Sequence, residues 1–176
     1  IETVVISSAG VQTESGAAIS LPALSPKISL PAPPPGARAA TSVGGVQSLW
    51  DFNPAVVRGS YQVATIMFLN GSSRLDSRDR RIIRQVFAQQ RRTGGTIRIV
   101  GHASRRTANM NLVRHKLVNL RVSAARADAV ARELIRIGAR PDSLFVGAVS
   151  AQHPRYHEYM PSGEAGNRRA EIFIDF

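Results

Sequence analysis

Residues 119–130 read NLRVSAARADAV. Ala127, Val130, Leu134 and Ile137 recur at 3-4-3 spacing, the period of a helix with one apolar face. Gly138 stands where such a helix stops, and Pro141 prevents its continuation. The spacing therefore predicts a helix over Asn119–Ile137. That helix carries the pattern N-x-x-[LV]-S-x-x-R-A-x-x-V.

The neighbouring stretches alternate in type. Before the helix, TIRIV (96–100) reads as a strand with Ile97 and Arg98 on opposite faces. GHASRR (101–106) follows as a loop at the strand's end, where α/β proteins often keep their binding groups. Further back, Ile82, Ile83, Val86 and Phe87 form one helical stripe, ended by Gly94 and Gly95. YQVATIMF (61–68) is β-branched and aromatic, as in a strand. After the helix, SLFVGAV (143–149) and AEIFIDF (170–176) read as two more strands. The predicted order is β-α-β-α-β-β, an α/β class chain (an α+β sandwich) with helices on one or both faces of a sheet. The strand at 170–176 is expected to pair within that sheet.

Residues 1–57 differ from the rest. LPALSPKISLPAPPPGARAATSVGG (21–45) is rich in Pro, Ala, Ser and Gly, and buries too little apolar surface to offset its ordering entropy. It reads as an extended, Pro-rich linker or partner-bound tail, ahead of a domain over 58–176. LWDF (49–52) reads as an anchor that docks on that domain. Charge follows the same division. Residues 1–58 hold three basic and three acidic groups, so the remainder carries the whole net charge of +11. A basic domain suits a polyanion, an anionic membrane face or an acidic polymer, although net charge speaks first to solubility.

Several classes of function fall away. The chain has no cysteine, which excludes disulfides, thiolate metal sites and thiol nucleophiles. His102 and Ser104 lack a nucleophile elbow and a carboxylate partner, so no hydrolase is expected. His153 and His157 are four apart, but Pro154 between them argues against a helical metal face. No phosphate loop is present, and no cofactor is expected. Aromatics make up only 6% of the chain, without the basic-aromatic interleaving of a nucleic-acid platform. No run approaches the ~20 apolar residues of a membrane span. The chain opens at Ile1, and the expectation is that a signal peptide or anchor has been removed or left out. Any membrane attachment is then through an anchor outside this sequence.

Four spaced motifs together carry a resemblance: Phe68, Ser72 and Leu75 in F-x-x-x-S-x-x-L, then GHAS (101–104), then Asn119–Val130, then NRRAEI (167–172). Over about residues 60–176 the chain resembles the OmpA-like C-terminal domain, which holds Gram-negative envelope proteins non-covalently to peptidoglycan. The resemblance implies a non-catalytic periplasmic module, associated with the outer membrane or cell wall. It also implies a ligand, the diaminopimelate of the peptidoglycan peptide stem, which bears an ammonium and carboxylates. In the family an arginine of L-S-x-x-R-A meets a carboxylate, as a guanidinium fork can, and an aspartate in G-H-T-D meets the ammonium. The implied binding residues here are His102, Ser104, Asn119, Arg126 and Arg168. Of the pair Arg168 and Arg169, one usually orders the loop.

Ser104 stands where that aspartate would be, and serine brings no charge. Loss of a charge-assisted partner is worth about 1.5–3 kcal/mol, about ten- to a hundredfold in affinity. Ser104→Asp is accordingly expected to strengthen binding to diaminopimelate-type muropeptides. Glu158 and Glu164 lie in the stretch before Asn167 and are the carboxylates able to fold over the site, though no sequence feature puts them there. Ser104 and Asn119 are fifteen residues apart, wider than in the family by about two helical turns. Within this 105–118 insertion and just beyond it, Met110, Val113, Leu117 and Leu120 repeat at 3-4-3 spacing. They make either a lengthened core helix or a docking ridge. A second role follows from these departures. The chain would be a structural subunit of a trans-envelope assembly, of secretion or motor type, docking other subunits through residues 1–57 and the insertion.

Overall fold

The computed structural model describes residues 45–105, 111–151 and 153–176. The Pro-rich stretch up to residue 44 and Met110 lie outside the described residues. Five strands form one mixed sheet: β1 (Gln47–Ser48), β2 (Ser60–Met67), β3 (Thr96–Gly101), β4 (Leu144–Ala148) and β5 (Arg169–Asp175). Their order across the sheet is β1-β4-β3-β5-β2. β3 and β4 run parallel, joined by a crossover helix, and β1 adds parallel to β4. β5 inserts between β3 and β2 and is antiparallel to both. The last strand thus closes the fold from the centre, with Ile172 facing Ile99 on one side and Ala64 on the other.

Two long helices cover one face. Helix α1 (Ser77–Thr93) opens with a reciprocal capping box between Asp76 and Asp79. Its Ile83 and Val86 are buried, with Ile82 and Phe87 packed at the edge, as the stripe predicts. Helix α2 (Leu112–Arg136) buries Ala127, Val130, Ala131 and Leu134 against the same core. It begins seven residues before Asn119, with Asn111 as its cap. The insertion thus lengthens the helix at its N-terminus. Val113, Leu117 and Leu120 nevertheless stand in solvent, so this end of α2 is a ridge and not core. Leu117→Glu with Leu120→Glu is expected to change stability by less than about 0.5 kcal/mol in urea denaturation. A loss of about 2 kcal/mol or more would mean that the two leucines are packed.

The other face carries Arg98, Phe145, Phe173 and Asp175. Arg98 forks onto Asp175 at 2.7 and 3.0 Å and stacks over Phe52 and Phe173. Phe52 also meets the edge of Phe145, and Leu49 packs against Gly147. The Leu49–Phe52 segment therefore docks on the domain, and residues 45–57 contribute β1 and part of the core. A further short helix, α3 (Pro161–Asn167), precedes β5 and is absent from the expected order.

Candidate functional site

At the C-terminal ends of β3 and β4 three loops converge: 68–72 after β2, 102–105 after β3, and 149–160 after β4. Arg126 ties two of them together. One turn before it, α2 crosses β3 so closely that the Ser123 carbonyl lies over Gly101. That approach delivers the guanidinium between the loops. Its Nη1 donates to His102 O at 2.8 Å, Nε to Ser72 O at 3.0 Å, and Nη2 to Leu69 O at 3.3 Å. Arg126 is only 1% exposed and lies 5.5 Å from the Phe68 ring centre. Burial, helped by the nearby Arg168 charge, lowers its pKa to about 10, which leaves it cationic at neutral pH.

The other sequence-singled residues surround this hub in different ways. Arg168 is half-buried; its Nε donates to Phe68 O at 3.4 Å and its Nη1 lies 4.0 Å from Glu164. Asn119 is buried on α2, its Nδ2 3.5 Å from His115 Nε2. His115 Nε2 in turn donates to Arg105 O at 2.6 Å, so the added turns of α2 brace the 102–105 loop. Ser104 is buried within that loop. His102 joins the hub through its backbone, while its ring lies on the opposite side of the sheet beside Glu171. Among the described residues no three metal-ligating side chains converge. A separate open groove of about 470 Å³, lined by Phe87, Arg91, Gly138 and Arg140 among others, lies at the opposite end of the sheet.

His102 and Glu171 form a buried pH-sensitive pair. His102 Nε2 stands 3.2 Å from Glu171 Oε2 but off the line of a hydrogen bond, so neither ring nitrogen has a hydrogen-bond partner among the described residues. Burial lowers the imidazole pKa, outweighing the pull of Glu171. Burial also acts to raise Glu171, but His102 and Arg169, the latter at 2.8 Å, carry it down to about 2. Both groups bind fewer protons folded than unfolded, so stability falls as acid is added. The His102 part is lost as the pH falls below the ordinary 6.5, and the Glu171 part between the ordinary 4.5 and about 2. Urea midpoints measured across this range are expected to fall with pH. His102→Gln should flatten the limb just below 6.5; an unchanged slope there would contradict the assignment.

The first residue of the NRRAEI motif, not among the implied binding residues, organises the third loop. Asn167, fully buried, accepts from Arg155 N at 2.9 Å and Tyr156 N at 3.1 Å through Oδ1. Its Nδ2 donates to Tyr156 O and to Glu158 Oε1, both at 2.8 Å. The third loop is thereby clamped against α3. Gly163 and Gly166 make the fit possible, because a Cβ at either would collide with His157 O or the Tyr156 ring. In the same loop Ser150 takes the left-handed conformation, with φ 55°.

A family model described as the OmpA family matches residues 67–168, more than half of the chain. The chain belongs to the OmpA family. Among curated proteins none matches the sequence. Solved structures similar to this OmpA-family chain include the cell wall anchor of the T6SS from Pseudomonas aeruginosa, at 23% identity and TM-score 0.53, covering 63% of this chain and 78% of that one. The peptidoglycan-associated lipoprotein from Burkholderia pseudomallei aligns at 19% identity and TM-score 0.55, over 64% and 89% of the two chains. The periplasmic domain of Helicobacter pylori MotB aligns at 19% and TM-score 0.51, over 62% and 69%. These likenesses establish the OmpA-like fold. Domains of this family are binding modules without catalysis as their general rule.

Proposed function

We propose that the chain is a periplasmic module of a Gram-negative envelope protein, and that its OmpA-like domain holds that protein to peptidoglycan. The observation that supports it most is the junction of loops 68–72 and 102–105 across Arg126, with Arg168 at its edge. Two guanidinium groups at one loop cluster favour a carboxylate-bearing ligand, and the stem peptide of peptidoglycan supplies one. The proposed location is the periplasm, against the cell wall or outer membrane. Among the described residues no helix is long and apolar enough to cross a membrane.

Co-sedimentation with purified sacculi tests this reading. A chain of net charge +11 adheres to any acidic polymer, so retention is compared at low and high salt. Retention that survives high salt and falls with Arg168→Gln is expected. Retention that vanishes with salt, or that ignores Arg168, would overturn the reading.

A second reading is favoured by a specific observation. The exposed ridge of Val113, Leu117 and Leu120 suits docking to another subunit of an envelope assembly. The described part of the insertion presents it on two added turns of helix, clear of the core. The two roles use different residues, the ridge of Val113, Leu117 and Leu120 for docking and Arg168 with the converging loops for the wall.

A further inference from the structure

Ser104 brings no charge, yet a carboxylate stands one peptide bond from it. Both oxygens of Glu158 lie 3.0 Å from the backbone N–H of Arg105. Glu158 comes from the third loop, and several features fix it there. Asn167 Nδ2 donates to its Oε1 at 2.8 Å. The same asparagine pins Arg155 and Tyr156, and glycines at 163 and 166 let the loop lie flat on α3. Arg105 Nε donates to Ala151 O at 3.2 Å, closing the two loops on one another. Glu158 remains half-buried, at the rim of the loop cluster.

We propose that Glu158 supplies the negative charge of the ligand site. The cluster is then bipolar. Glu158 meets an ammonium beside Ser104, while Arg168, backed by buried Arg126, meets a carboxylate. Such a site selects a zwitterion over a plain anion, because the carboxylate repels a ligand that brings only negative charge. This proposal rests on the reading that the domain binds the peptide stem, and it names which end of the ligand goes where. It also revises the expectation for Ser104→Asp. With Glu158 already in place, a second carboxylate adds little.

The test is calorimetric titration of the whole chain with a diaminopimelate-containing tripeptide, free or acetylated on its side-chain amine. Wild type is expected to bind the acetylated peptide about tenfold more weakly than the free one. Glu158→Gln should lose about tenfold for the free peptide and show no preference between the two. It keeps an oxygen for Asn167 and for the Arg105 N–H, so its melting temperature should stay close to wild type. Ser104→Asp should restore most of the loss in the Glu158→Gln background. Equal binding of both peptides by wild type overturns the proposal without use of any variant, and leaves the binding reading intact. Failure of Ser104→Asp to rescue Glu158→Gln also overturns it, since a purely structural Glu158 would not be replaced by a charge at 104. No binding of either peptide by wild type overturns both proposal and reading.

Discussion

Gly101→Ala is expected to be among the most damaging single changes in the chain. Gly101 ends β3, paired between Ala148 and Ala170. A Cβ there would fall inside the van der Waals shell of the Ser123 carbonyl, which is backbone and cannot rotate away. The sheet cannot yield either, because β3 is hydrogen-bonded on both edges. Helix α2 would have to lift off β3, opening the Ala127–Leu134 seam and drawing Arg126 away from its carbonyls. The expected loss is about 3 kcal/mol or more, at the upper end of overpacking effects. Urea denaturation measures it. A loss below about 1 kcal/mol would mean that helix and strand are not in this close contact.

Arg126→Met should have an effect of similar size, for an electrostatic reason. Methionine fills much of the arginine's volume but leaves the carbonyls of Ser72 and His102 without their donor, while Leu69 O keeps the Ser72 N–H. A buried group left unpaired costs about 1–3 kcal/mol, and with the buried His102 and half-buried Ser72 carbonyls both affected a total of about 2 kcal/mol or more is expected. Arg126→Lys should recover only part of this. One ammonium keeps the charge, but three nitrogens of a planar fork reach three carbonyls in different directions. An arginine that served only a ligand would tolerate either change with its stability intact, and that result would contradict the bridging role. Loss of wall binding on removal of Arg126 is therefore uninformative alone, and Arg168 and Glu158 are the residues that report on the ligand.

The long helices and the central strands were legible because each carries its own period. The Ala127–Ile137 spacing fixed the face of α2 that meets the core, and hence where Arg126 points. The start of α2 at Leu112 was harder to place, because Val113, Leu117 and Leu120 repeat like core residues and yet face water. Nothing in a single helix's sequence says whether a partner covers it. Strand β1 has two residues and depends on its pairing with Phe145 and Val146, almost a hundred positions later in the chain. Helix α3 is short and glycine-bearing, and reads as loop apart from Pro161 at its first turn. The Glu158 clamp depends on contacts between residues 105, 158 and 167. No local pattern encodes it. Ser104 announced that a charge was missing from one loop, and only the fold shows another loop bringing one in.

The central claim is that a peptide-stem ligand sits where the three loops meet. Backbone amide shifts followed by NMR during titration with the diaminopimelate tripeptide test it most directly. The largest shifts are expected in 69–72, 101–105, Glu158 and 167–168, and they should saturate together. Shifts confined to the groove around Phe87, Arg91 and Gly138, or no saturable shifts at all, would contradict the claim.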